Sequence, residues 1–276
     1  MKNNKVFGAG IDSVKSWEEM ASNYAARLQN PYHQHRLRVI DALIPKDLYK
    51  KGKTIFDFGC GDGVLFYPFM AQGAKVMGCD PAKEMIDLAR KNMVEKGLDA
   101  SGIYLGGVDV LAGIADASCD AVLSFNVLAY LTDSEESEFY NQVCRIVKPG
   151  GWLIVTHSNN LFDLFTANRM TVDFMTRYLV SDAESAKNIP SLFNNADKPK
   201  DLPIYNVREN PLAYPVKLKK YGFTVGRVEY INWHSAPPLL KAQDDHYRDT
   251  LAVPAEDRWK LAFTCSTFGV CAQRDL

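Results

Sequence analysis

The chain has 276 residues, 47% of them hydrophobic and 24% charged, with 32 Lys and Arg set against 33 Asp and Glu. That composition suits a soluble globular domain with one sizeable core, and the balanced charge lacks the basic excess of a nucleic-acid binder. The one short basic cluster, Lys217, Lys219 and Lys220, reads as a solvated helix face.

At the N-terminus, MKNNKVFGAGIDSVKSWEEM lacks the apolar run of a signal peptide. Nothing further on reaches the roughly 18 apolar residues of a membrane span. Six cysteines without a CxxC pair suit reduced thiols, so a cytoplasmic protein without a zinc site is expected. Residues 13–44 read as two helices broken near Asn30-Pro31. Trp17, Met20, Ala21 and Tyr24 mark the first; Leu37, Ile40 and Leu43 mark the second. The period then changes. Strands are predicted at 54–59, 75–80, 102–107, 119–125 and 151–157, with helices at 64–72, 82–96 and 133–147 between them. Such alternation predicts βαβ units and a parallel sheet with both faces covered. From Ser158 to about Pro211 the alternation stops. Helices are predicted at 161–168 and 171–187, followed by a polar segment with Asn and Pro. Inserts this long inside a domain are usually functional. A helix at 214–222 and strands at 223–231 and 261–273 complete the chain.

The segment Ile55-Phe56-Asp57-Phe58-Gly59-Cys60-Gly61-Asp62-Gly63 runs a buried strand straight into alternate glycines. Glycine there lets the backbone approach a ligand and turn with positive φ. On an open α/β sheet, ligands sit at the carboxyl ends of the strands. Asp80 ends the next strand, where a carboxylate can accept hydrogen bonds from two ribose hydroxyls. It can also cap the helix that begins near Pro81, and the two roles are compatible.

Asp57-x-Gly59-x-Gly61-x-Gly63 with Asp80 resembles the first two motifs of class I S-adenosylmethionine (SAM)-dependent methyltransferases. Val108-Asp109-Val110 resembles their adenine-holding segment. Residues 124–133, with Asn126, resemble the stretch after strand four, and Val147–Trp152 the turn before strand five. The resemblance implies a Rossmann-like sheet of seven strands in order 3-2-1-4-5-7-6, the seventh antiparallel. It also implies an N-terminal helical lid (13–44), a cap insertion (159–213), SAM as cofactor and S-adenosylhomocysteine (SAH) as product. Asp57, Gly59, Cys60, Gly61, Asp80, Pro81, Val108, Asp109, Val110 and Asn126 are the implied cofactor contacts. Tyr24 and Arg27 on the lid join them, Arg27 being either opposite the methionine carboxylate or a solvated arginine. GxGxG spacing, with acids at 57 and 62, disfavours a pyrophosphate ligand such as NAD.

Methyl transfer needs alignment of the acceptor and exclusion of water, and a hydroxyl acceptor also gains from a general base. His157 and His234 close predicted strands, so each is a candidate base, or a histidine bonding loop backbone. Asn159, Asn160, Tyr130 and Arg169 are candidate acceptor contacts. His33 and His35, ahead of the second helix, read as exposed loop residues, with reach to the cofactor mouth as the alternative. No metal is expected. The run HSNNLFDLFTANR, with NWHSAPP, resembles bacterial methyltransferases of surface-polysaccharide gene clusters, which implies O-methylation of a saccharide or similar small polar acceptor. N-methylation of a small amine or amino sugar, and a SAM- or SAH-binding protein without catalysis, are the alternatives.

Overall fold

The computed structural model describes residues 14–15, 30–167, 169–180, 182–188, 207–235, 237 and 249–276. The predicted alternation becomes β1 (Thr54–Phe58), β2 (Lys75–Asp80), β3 (Ile103–Leu105), β4 (Cys119–Phe125) and β5 (Val147–Asn159), joined by helical crossovers. A two-residue strand, β6 (Arg208–Glu209), follows the insert, and β7 (Phe223–Trp233) and β8 (Cys265–Arg274) close the sheet. The order is β3-β2-β1-β4-β5-β8-β7, with β6 beside β5. This is the expected order once β6 takes a number, and the last strand is antiparallel to both its neighbours.

Strand alternation explains the two covered faces. Ile55, Leu123 and Ile154 point to one layer, against α1 (Pro31–Leu43), α2 (Phe66–Met70) and α3 (Lys83–Glu95). Phe56, Phe58, Val122, Leu153 and Val155 point to the other. There they meet α4 (Val108–Leu111), α5 (Asp133–Ile146) and α9 (Tyr214–Lys219). Each such side chain contributes about 1.5–3 kcal/mol on full burial. α5 begins with a capping box, in which Thr132 and Glu135 each satisfy the other's backbone N–H.

Beyond β5 the chain forms α6 (Phe162–Phe165), α7 (Arg169–Phe174) and α8 (Ala183–Asn188). The single helix expected at 171–187 is interrupted by a wider π turn, Met175–Leu179. The strand expected from 261 begins four residues later, because α10 (Arg258–Thr264) buries Leu261 and Ala262 first. Strand three is shorter than expected, since Tyr104 and Leu105 lie exposed at the sheet edge. Lys217 is not on a solvated face. Its Nζ donates to Glu136 Oε1 and Glu209 Oε1, both at 2.6 Å, and thereby fastens β6 to α5. Burial opposes its charge, but Glu209 and Glu136 outweigh it and hold the lysine above its ordinary pKa.

Of the lid, α1 is described. Val39, Ile40 and Leu43 bury one end on the sheet, and Arg227 donates from β7 to the Ala42 carbonyl at 2.6 Å. Tyr24 and Arg27 lie outside the described residues. His35 is buried within α1, with burial lowering its pKa, and so is not the exposed loop residue expected. Among the described residues no helix is long and apolar enough to cross a membrane. All six cysteines are free thiols.

Candidate functional site

A cleft opens where β1 ends, between the glycine loop and the first turns of α1. Asp57, Gly59, Cys60, Gly61 and Asp62 form its floor, while His33, Arg36, Leu37 and Ile40 of α1 face them. Gly59 has φ +78, and a Cβ there would lie 2.1 Å from Val127 Cγ2, so the residue must be glycine for conformation and for space. Gly61 has φ +54 with nothing within 4 Å of a Cβ, which leaves its backbone open to the cleft.

Asp80 ties this loop to β2. Its Oδ2 accepts from Gly61 N at 3.0 Å and its Oδ1 from Ala82 N at 2.9 Å. Asp80 is thus not the N-cap of α3, a place held by Ala82 without a side-chain bond, and its carboxylate, with about four acceptor positions, keeps room for further donors. Pro81 is exposed beside it. Asp57 differs. It is 2% exposed, and its Oδ2 has no hydrogen-bond partner among the described residues. Burial, then the charges of Asp80 and Asp62, push its carboxyl up to about 7. An acid in that state lacks a donor, preferably a cationic one.

Beyond β3, Asp109 is exposed and its Oδ1 accepts from Gly107 N at 2.9 Å. Val108 and Val110 pack on the α5 side of the core. Asn126 adopts φ +59 and is held by Thr156, whose Oγ1 accepts from Asn126 N at 3.0 Å. Tyr130 is half-buried in the 3₁₀ turn after β4.

Several expected acceptor groups are elsewhere. His157 shares the parity of Leu153 and Val155, so it enters the layer opposite α1. It is 1% exposed there, its Nε2 2.7 Å from Tyr214 Oη. Burial, then the Lys217 charge, lowers its pKa to about 3. It is a core histidine, not a base at the sheet edge. Asn159 is consumed by the fold: its amide donates to the carbonyls of Ala262 and Cys265, and its Oδ1 accepts from Leu161 N. Arg169 is half-exposed, 4.0 Å from Asp173. His234 stands at the carboxyl end of β7, buried, its ring 4.6 Å from that of Phe162. Asn160 is buried with its Oδ1 unpartnered. Reasoning from sequence missed Arg36 and Leu37 as cleft walls, although their spacing to Ile40 on one helix face signals it. Among the described residues no group of three metal-ligating side chains occurs.

Residues 56–155, which carry the cleft floor and the strands beside it, match the family model described as a methyltransferase domain. This segment is similar to methyltransferase domains. The chain is 30% identical over 146 residues to the ubiquinone biosynthesis O-methyltransferase of Paracidovorax citrulli, covering 52% of this chain and 57% of that protein. The match to the enzyme of the same name from Methylocella silvestris is 32% over 126 residues, 44% of this chain and 48% of that one. The chain thus spans about half the length of the curated relatives it matches. Among solved structures, an S-adenosylmethionine-dependent methyltransferase from Mesorhizobium loti superposes with a TM-score of 0.53 at 19% identity, over 87% of this chain and 98% of that one. At that identity the likeness is one of fold. The matched segment holds the glycine loop, Asp80 and Asn126, whereas the insert after β5 lies beyond it.

Proposed function

We propose that the protein is a SAM-dependent methyltransferase that methylates a hydroxyl of a small polar acceptor, a saccharide first among them. The observation that carries the reading is the unpartnered, buried Asp57 carboxylate beside the open Gly61 backbone, within a segment similar to methyltransferase domains. SAM carries the α-ammonium and the vicinal ribose hydroxyls that such a donor-hungry site lacks.

Asp57 would take the ammonium, Gly59 to Gly61 would pass beneath the methionine portion, and Asp80 would accept from the ribose. Asp109 and the backbone of Val108 and Val110 would border the adenine. When bound, SAM supplies an activated methyl group on a sulfonium. The chain then has three tasks. The glycine loop fixes the cofactor, and Leu37 and Ile40 of α1 cover the cleft from water. The carboxyl edge of β4, β5 and β7 orients the acceptor. His234 is the histidine proposed to take the hydroxyl proton, because β7 runs parallel to β5 and ends at that edge.

The test is a mass-resolved methyl-transfer screen over sugars, nucleotide sugars and quinols, with SAM and the purified chain. A methylated hydroxyl on one acceptor class is the expected outcome. Tight SAH binding with no transfer to any acceptor would instead favour a binding protein without catalysis.

A further inference from the structure

Past the end of β5 stands a charged cluster that the cofactor cleft does not use. Asp163 of α6 lies 2.9 Å from the Arg208 guanidinium of β6. Arg208 is itself fixed by donating to the Asn159 carbonyl at 3.0 Å. Asp173 of α7 faces the same carboxylate closely enough to raise its pKa. The hydroxyls of Thr166 and Thr171 both donate to the Asp163 carbonyl, at 2.8 and 2.7 Å, which ties the start of α7 back to α6. Arg169, half-exposed, approaches Asp173 only to 4.0 Å.

The cluster is built but incomplete. Among the described residues, three of its buried atoms lack a hydrogen-bond partner, Asn160 Oδ1, Asp173 Oδ2 and Arg208 Nε, while Asp163 Oδ1 has the Arg208 guanidinium alone. Asn160 is 8% exposed and supplies its orphan oxygen from the turn that leads into Asp163. Each unmade buried bond costs about 1–3 kcal/mol, and native proteins rarely leave several together. A purely structural ion pair would saturate its own oxygens. Here burial outweighs Arg208 and pushes the Asp163 carboxyl up to about 6, so at neutral pH it is still mostly ionised and a second cationic donor would favour that form.

The missing partner can be read from the orphans. Two are acceptors, on the Asp173 carboxylate and the Asn160 amide, and one is a guanidinium donor, with the Asp163 carboxylate beside them still able to accept a second bond. A protonated amine offers three donors from one point charge. A hydroxyl or ring oxygen next to that amine would accept from Arg208 Nε. The place is also suitable. β5 and β1 are two strand spacings apart, about 10 Å. One small molecule anchored here would have to span about that distance along the carboxyl edge to reach the glycine-loop cleft.

We propose that Asn160, Asp163, Asp173 and Arg208 form a subsite for the protonated amine of the methyl acceptor, which is an amino-bearing polyol such as an amino sugar. The proposal rests on the methyltransferase reading above and names the acceptor class for it.

The experiment is calorimetric titration of the full chain, saturated with SAH, with glucosamine and separately with glucose. Glucosamine is expected to bind at least about tenfold more tightly, which is about 1.4 kcal/mol. Asp163→Asn and Asp173→Asn, each verified by an unchanged melting curve, should bring that preference below about threefold, or roughly 0.65 kcal/mol. Asp173 is the more exposed of the two, so its variant serves should Asp163→Asn fail to fold. Equal binding of the two sugars, or a preference that both variants keep, overturns the subsite. SAH binding is measured first: its absence would count against the methyltransferase reading, and the two sugars would then be compared on the unliganded chain.

Discussion

Tyr214 Oη sits 2.7 Å from His157 Nε2 and 2.6 Å from Tyr140 Oη, so the histidine begins a buried hydrogen-bonded chain that continues to Glu136 and Lys217. That chain runs under the sheet, away from the cleft. His157→Asn is therefore expected to weaken the fold by about 1–3 kcal/mol, the cost of a buried bond left unmade. Single-turnover transfer by the folded fraction should change less than about threefold, against the 10²–10⁴ of a lost general base. A rate loss in that upper range, with stability intact, would restore His157 to the chemistry.

The same histidine sets a pH dependence of stability. Its folded pKa, about 3, lies below the ordinary 6.5, so the unfolded chain binds the proton first. Its stabilising contribution is complete above pH 6.5 and is lost as pH falls toward 3, by about 1.4 kcal/mol per pH unit. Urea unfolding of wild type and His157→Phe from pH 7 to 4 checks this. The variant should show a shallower acid loss, and identical slopes would rule the histidine out as its source.

Asp57 makes binding pH-dependent through a pKa shift in the opposite direction. Its raised folded pKa, about 7, means that much of it is protonated in the free protein below neutrality. An ammonium beside it must displace that proton, so SAH affinity should rise with pH from 5.5 and level off above about 7.5. Calorimetry in buffers of different ionisation enthalpy should register proton release near pH 6. Asp57→Asn should bind more weakly and show no such release; a variant that still releases the proton would point to another group.

Asp80→Ala removes acceptors from Gly61 N and Ala82 N together. Loss of charge-assisted bonds of this kind costs about 1.5–3 kcal/mol, so SAH should bind roughly ten- to hundredfold more weakly. If affinity held while only the melting temperature fell, Asp80 would be a loop and helix anchor with no part in the ribose site.

Gly59→Ala meets both a left-handed φ and Val127. Overpacking of this kind costs about 1–3 kcal/mol, with a further 1–2 or so for the backbone. Adding Val127→Ala should recover the packing share alone. Full recovery in the double variant, followed by urea unfolding, would show that the φ carries no strain.

The parts legible in the sequence were those whose requirements are local. Gly59 and Gly61 must turn where a strand meets a helix, and Asp80 follows from the next strand's end, so the loop and sheet order could be read in one pass. His157 was misplaced because a strand end was set at 157, while β5 continues to Asn159. Parity with Leu153 and Val155 was the signal that could have sent it into the core. Asp163 and Arg208 are 45 positions apart and meet only through the pairing of β6 with β5, which no periodicity announces. Lys217 looked solvated for the same reason, since Glu136 and Glu209 reach it from distant segments.

The short β6 has a consequence for how this chain can diversify. Val207 N donates to the Ala129 carbonyl and Asn160 N to the Glu209 carbonyl, so the excursion between them leaves and rejoins the sheet at one spot. With its ends clamped together by the scaffold, doubling the length of such an excursion adds only about 0.6 kcal/mol of closure entropy. The insert is in effect an exchangeable cassette. A lineage could replace it, and with it Asp163 and Asp173, while the glycine loop, Asp57 and Asp80 kept the same donor in the same place.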